Sequence, residues 1–295
     1  MHVVGLIGEQ PMPCLVVLRY LEPDSFTLVC TAYTRRIAER LKKLVKAQAA
    51  HILEVPAYKL GEIRRSLLDH LEGLGEKRVA FDLTGGTKTM AFATYDVARL
   101  LSGVAYYLRS QMENVLFEYA FGTGDSLQER EIALPMGLFT IRDFLGAYLD
   151  EFKITGPCKS PQGRQFEIAV RDSLSEVVDE IEAGVRSISG QLDLDLVFRV
   201  GNGVGVAEVK TGRKAEHKEP LEQLKSACSK EILGTYTKPF LIIDREWGPD
   251  KQNLRDLASA WDITVIELPS FRDTGSLCAE DKEKLQTAVK KVLGG

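Results

Sequence analysis

The chain has 295 residues, 44% hydrophobic and 27% charged. That composition is ordinary for folded globular domains, the length suits two of them, and a disordered or fibrous chain is excluded. A net charge of −4 with a pI near 5.7 excludes a broadly basic surface for coating duplex nucleic acid, so any such contact is expected to be local.

Taken in order, HVVGLIG reads as a buried strand, followed by the loop GEQPMP and a short apolar helix from Cys14 to Tyr20. SFTLVCTAY is a second strand. TRRIAERLKKLVKAQ is a helix with Ile37, Leu41, Leu44 and Val45 at helical spacing, and HILEVP is a third strand. A helix from Leu60 to Leu74 precedes the fourth strand, RVAFDL. After TGGTKT comes a helix with the stripe Met90, Ala93, Thr94, Val97, Leu100 and Leu101, then the strand VAYYLRS. Strands alternating with helices predict a parallel, doubly wound sheet. NVLFEYAFGTGDSLQEREIALP instead reads as a hairpin turned at GTGD.

Residues 136 to 156 read as a connecting helix, and TGPCKSPQG has the glycine and proline content of a boundary. The expected division is therefore 1–135, a connection at 136–156, and 157–295. The second half opens with a helix over GRQFEIAVRDSLSEV, with Phe166, Val170, Leu174 and Val177 on one stripe, and a strand near VRSIS. Two site strands, the helix EPLEQLKSAC and the buried strand KPFLIID follow; after Asn253 to Trp261 comes DITVIEL, and a closing amphipathic helix completes the chain.

The five cysteines, Cys14, Cys30, Cys158, Cys228 and Cys278, are odd in number and contain no C-x-x-C pair. A reducing cytoplasm suits them better than a disulfide framework or a zinc site. The opening residues lack a signal-peptide pattern and no segment has membrane-spanning length, so a soluble cytoplasmic protein is expected.

In open parallel sheets ligands collect beyond the carboxyl ends of the strands, which here carry GEQPMP, TAYT and DLTGGTKT. Gly85 and Gly86 allow a tight turn, amides at the following helix start can face an anion, and Thr84, Thr87 and Lys88 add hydroxyls and a positive charge. The spacings of the P-loop and of G-x-G-x-x-G are absent. The competing reading is a glycine-turned cap that serves only the helix.

In the second half, QLDLDLVFRV and GVGVAEVK alternate with period two around the turn Gly201-Asn202-Gly203. Asp193 and Asp195 share one face of the first strand and Glu208 and Lys210 one face of the second, with Ala207 and Val209 turned inward. Carboxylate oxygens suit Mg²⁺ or Mn²⁺, which polarise phosphoryl oxygens, and an ammonium beside them can orient water or neutralise developing charge. The competing reading is a solvated face. The basic run KTGRKAEHK, following directly, either guides a strand into the site or is a solvated loop.

DLTGGTKTM after a fourth strand, with GLIGEQPMP after the first, resembles the CARF domain, a Rossmann-like sensor of cyclic oligoadenylates. That resemblance implies Gln10, Thr84, Gly85, Gly86, Thr87 and Lys88 near the ligand, with Thr31 and Thr34 of TAYT beside them. It also implies a homodimer holding a ring-shaped ligand on its two-fold axis. The second half, D-x12-E-x-K on consecutive strands, resembles the PD-(D/E)xK nuclease superfamily. Asp195, Glu208 and Lys210 match its motif, with Asp193 the alternative ligand if the register moves. Glu167 and Gln223 stand where members carry an extra acid and a glutamine, and the Val209 carbonyl is an implied metal ligand.

Together the two resemble the CARF-domain CRISPR ancillary nucleases of type III systems. The resemblance implies activation by cyclic tetra-adenylate, a Mn²⁺ or Mg²⁺ cofactor, and cleavage of single-stranded or nicked DNA, or of RNA, away from any membrane. The alternatives are a non-enzymatic CARF sensor, or a ring nuclease that degrades the cyclic ligand with Lys88 or a hydroxyl.

Overall fold

The computed structural model describes residues 1–75, 78–109, 114–122 and 126–294. Its contacts divide the chain into two units, residues 1–139 with 146–148, and residues 140–145 with 149–295.

The first unit is built on β1 (His2–Leu6), α1 (Met12–Leu21), β2 (Ser25–Cys30), α2 (Arg35–Leu44), β3 (Ala49–Glu54) and α3 (Leu60–Leu74). It continues through β4 (Val79–Asp82), α4 (Lys88–Leu100), β5 (Val104–Arg109), β6 (Val115–Phe121) and β7 (Leu127–Ala133). The strands form one sheet in the order β3-β2-β1-β4-β5-β6-β7, parallel from β3 to β5 and antiparallel beyond. Successive side chains leave a strand on opposite faces. Val4, Leu6 and Phe81 therefore join the core under α3 and α4, while Gly5 faces Cys14 of α1. Among the described residues, the stripe on α4 is buried only as far as Ala98. Leu100 and Leu101, expected in the core, are about half exposed in the last turn before Ser102 and Gly103 lead into β5. The expected hairpin pairs β6 with β7, and of its GTGD turn residues 123–125 lie outside the described residues.

The connecting helix is shorter than its sequence suggests. α5 (Ile141–Tyr148) is started by a capping box between Thr140 and Asp143, and Leu149 is already extended. Phe152–Ile154 is a strand, β8, paired antiparallel with residues 185–187, because the neighbouring strand offers its edge to backbone groups that a longer helix would otherwise have satisfied internally.

The second unit continues with α6 (Pro161–Ser175), β9 (Glu180–Ser187), β10 (Asp193–Val200), β11 (Gly203–Lys210) and α7 (Glu219–Ala227). It ends with β12 (Lys238–Ile243), α8 (Gln252–Ala260), β13 (Thr264–Glu267), α9 (Ser270–Thr274) and α10 (Ala279–Leu293). Its sheet runs β13-β12-β11-β10-β9-β8, with β11, β12 and β13 parallel and the rest antiparallel. β9 begins five residues before VRSIS, and α6 stops before Val177. Leu196, Phe198, Ala207, Val209, Phe240 and Ile242 pack under Phe166, Val170 and Leu174 of α6 and Leu285 and Val289 of α10. No helix of the described residues is long and apolar enough to cross a membrane.

Candidate functional site

β10 and β11 form a hairpin through Gly201 and Asn202, with Val200 opposite Gly203 and Leu196 opposite Ala207. Gly201 sits at φ 58, a left-handed conformation that costs glycine little. Arg199, buried at 7% exposure, holds this turn. Its guanidinium pairs with Asp179 at 3.1 Å and Glu180 at 2.8 Å and donates to the Gly201 carbonyl, while the Gly201 N–H donates to Asp179 at 2.7 Å. No sequence motif marks Arg199, whose role depends on two acids about twenty residues away.

Beyond Leu196 a side chain takes over from the ladder, as the Val209 N–H donates to Asp195 Oδ2 at 2.7 Å. This aims the Asp195 carboxylate across β11. Lys210 Nζ then lies 2.5 Å from Asp195 Oδ2 and 2.5 Å from Glu208 Oε2. The structure thus brings Asp195, Glu208 and Lys210 together. Asp193 stands apart, exposed and paired with Arg186 at 2.8 Å.

The inward and outward faces expected for β11 are both covered, because β11 lies between β10 and β12 in the middle of the sheet. Glu208 is 2% exposed and Val209 4%. Glu208 Oε1 is buried and has no hydrogen-bond partner among the described residues. Burial first, and the charge of Asp195 second, push the Glu208 carboxyl up despite Lys210. Burial opposes the Lys210 ammonium, but the two carboxylates outweigh it and hold its pKa above the usual lysine range. Glu167 of α6 is also buried; its Oε2 accepts the Cys158 N–H at 2.7 Å, and burial raises its carboxyl with Asp195 adding and Lys210 opposing. Gln223 lies on the exposed side of α7 and makes no hydrogen bond to these residues. Among the described residues no group of three or more His, Cys, Asp or Glu side chains is set to hold a metal, so the centre is a carboxylate pair with a lysine.

In the first unit, β1 and β4 are neighbours although β2 and β3 come between them in the chain, and the loops after both meet at this switch point. A Cβ on Gly85 would lie 2.0 Å from the Leu6 carbonyl oxygen, and one on Gly8 3.2 Å from the Gly86 nitrogen. Gly85 is therefore required by close packing of two backbones, and Gly86 by its φ of 72. Thr87 caps α4 by accepting the Met90 N–H at 3.2 Å and donates to the Ala57 carbonyl at 2.6 Å. Thr84 is similarly engaged, donating to Asp82 Oδ1 at 2.5 Å and accepting the Leu108 N–H at 2.9 Å. Thr31 and Thr34 bond each other through hydroxyls and amides. Gln10 Oε1 accepts from the Tyr148 hydroxyl at 3.2 Å. Lys88 is exposed at the start of α4 and forms no ion pair among the described residues. The threonines thus shape the loops, and Lys88 offers a positive charge outward.

Residues 2–134 match the family model described as the Card1 CARF domain. The first unit is a CARF domain. Over the whole chain the fold is similar to that of Can2 from Sulfobacillus thermosulfidooxidans in complex with cyclic tetra-adenylate: TM-score 0.74, 16% identity, covering 100% of this chain and 97% of that one. Protein VC1899 from Vibrio cholerae is similar at TM-score 0.74 and 13% identity, covering 99% and 98%. A type III CRISPR defence DNA nuclease activated by cyclic oligoadenylate is similar at TM-score 0.62 and 16% identity, covering 84% of this chain and 46% of that one. No curated protein sequence matches the chain.

At the carboxyl end of β4 lies Asp82, which no motif marks because it closes an ordinary-looking strand. It is fully buried, its Oδ2 has no hydrogen-bond partner among the described residues, and it faces Thr84 and the Cys14 thiol. Burial pushes its carboxyl up to about 6, against hydrogen bonds from Thr84 and Cys14. The unfolded chain releases that proton near about pH 4, so the group's contribution to stability is complete below that pH and is lost as pH rises through about 6. Asp82→Asn abolishes this dependence. Its stability relative to wild type is expected to rise by roughly 2 kcal/mol between about pH 4 and pH 7, read by denaturant unfolding at both. A constant difference would refute the assignment.

Proposed function

We propose that this chain is a metal-dependent nuclease of the PD-(D/E)xK type, switched on by cyclic tetra-adenylate bound to its CARF domain, in type III CRISPR antiviral defence in the cytoplasm. The observation that carries the reading is the Asp195–Lys210–Glu208 cluster, in which Asp195 and Lys210 are partly exposed and Glu208 is buried with one oxygen unpartnered among the described residues, in a chain whose first half is a CARF domain. A buried carboxylate oxygen without a donor fits a cation, and Mg²⁺ or Mn²⁺ is commonly held by one or two carboxylates with water and substrate phosphate completing the shell.

Asp195 and Glu208 would hold the ion with the Val209 carbonyl, and Glu167, whose Oε2 accepts the Cys158 N–H, would add negative charge beside them. Once bound it supplies a lowered water pKa and a polarised phosphoryl oxygen. Lys210, already fixed between the carboxylates, orients the attacking water or offsets charge on the phosphate in the transition state. The water oxygen bonds to phosphorus as the bond to the leaving oxygen breaks, and the proton that the water gives up passes through solvent to the leaving oxygen, which departs as an alcohol. The KTGRKAEHK run leads the strand in, and Gln223 borders it. Gln10, Thr84, Gly85, Gly86, Thr87 and Lys88, with Thr31 and Thr34, form the edge that receives the activator. Activation is a population shift in a homodimer whose ring ligand binds the competent arrangement better.

The test is incubation of the full chain with Mn²⁺ and labelled single-stranded DNA or RNA, with and without cyclic tetra-adenylate. Cleavage is expected only with activator and metal together. Cutting that persists in chelator, or that ignores the activator, overturns the proposal, and loss of the cyclic ligand alone would make the CARF domain a ring nuclease.

A further inference from the structure

Two side chains at the ligand edge of the CARF domain have no use in the fold. Tyr33 and Tyr58 are each 78% exposed, more than any other large apolar or aromatic side chain among the described residues. Neither hydroxyl makes a hydrogen bond there. Their placement is paired. The Val55 N–H donates to the Cys30 carbonyl at 2.8 Å, extending the β2–β3 ladder by one rung, and each tyrosine comes three residues after its member of that rung.

Both backbones are pinned. Tyr33 lies inside the reciprocal Thr31–Thr34 bonds, and Ala57, next to Tyr58, accepts the Thr87 hydroxyl from the TGGTK turn. Both rings therefore stand exposed on loops at the carboxyl edge of the sheet, and that of Tyr58 is carried by the loop bonded to the start of α4. A fold gains nothing by keeping such rings dry on neither side; a flat, apolar ligand does.

We infer that Tyr33 and Tyr58 are base-stacking platforms, each taking the face of one adenine of the activator. The inference rests on the reading of the CARF domain as a cyclic tetra-adenylate site. Four adenines shared across a two-fold axis leave two for each protomer, which matches the two tyrosines. The division of labour is chemical. Lys88 and the amides at the start of α4 meet phosphate, while the tyrosine rings meet base faces, which the charged groups cannot recognise.

The test is calorimetric titration of the full chain with cyclic tetra-adenylate. Tyr33→Ala and Tyr58→Ala are each expected to weaken binding about ten- to a hundredfold, the usual effect of removing a stacking ring. Tyr58→Phe keeps wild-type affinity because the ring face remains, whereas Tyr58→Leu behaves as the alanine variant. If the wild type binds and the alanine variants bind equally well, or if leucine restores affinity, stacking is refuted while the CARF reading stands. If the wild type takes up no cyclic tetra-adenylate, the reading beneath the inference fails with it. Thermal melts of the variants, expected to match wild type for side chains this exposed, separate lost binding from lost folding.

Discussion

Glu208→Gln is expected to lose strand cleavage by about a thousandfold or more while leaving calorimetric binding of cyclic tetra-adenylate unchanged. The amide keeps the shape of the carboxyl but cannot supply an anionic oxygen to a cation, and the buried Oε1, which has no hydrogen-bond partner among the described residues, is the atom most affected. The fold itself has little stake in the negative charge. Burial disfavours it, and Lys210 retains Asp195 at 2.5 Å, so the variant should lose about 2 kcal/mol of stability or less. Full activity in Glu208→Gln, measured on labelled single strands with Mn²⁺ and activator, would remove the carboxylate pair from the reaction.

Lys210→Met has the opposite balance. It leaves Asp195 and Glu208 beside one another with no cation between them, and removing one partner of a buried ion cluster costs about 3–5 kcal/mol. Both cleavage and stability should fall. The double variant Lys210→Met/Glu208→Gln carries one carboxylate instead of two, so it should recover part of the lost stability, a coupling of about 2 kcal/mol in denaturant unfolding. Mn²⁺ should raise the melting temperature of Lys210→Met more than that of wild type, because a divalent ion replaces the missing positive charge. Additive losses, or no response to Mn²⁺, would mean that the lysine and the carboxylates do not share one cation-seeking centre. Lys210→Arg should retain most stability and lose most cleavage, since the planar guanidinium cannot take the place of a compact ammonium.

Much of this arrangement is legible in the residues themselves. The alternation in QLDLDLVFRV and GVGVAEVK predicts both strands and the tight turn between them, and the observed register pairs Val200 with Gly203 as that turn requires. The parallel order of the first sheet follows from strands alternating with helices, and TGGTK announces the loop at its carboxyl edge. Other features escape because they depend on partners distant in sequence. FKI at 152–154 shares apolar spacing with the helix before it and becomes a strand only because β9 offers an edge. Gly85 looks like an invitation to a ligand, yet its hydrogen faces the Leu6 carbonyl. Alternation puts Asp193 and Asp195 on one face and only motif resemblance favours Asp195; in the fold the Val209 N–H and Lys210 engage Asp195 while Arg186 pairs with Asp193.

The order of side chains along the chain, through the two-residue period of a strand and the backbone freedom of glycine, was enough to determine which residues share a face and where the chain turns. Tertiary structure alone decided which of those faces are closed to water. Burial depends on neighbouring strands and helices, and it is burial that raises the Asp82 carboxyl and leaves a Glu208 oxygen without a donor among the described residues, while Lys210 stays charged against burial because two acids outweigh it.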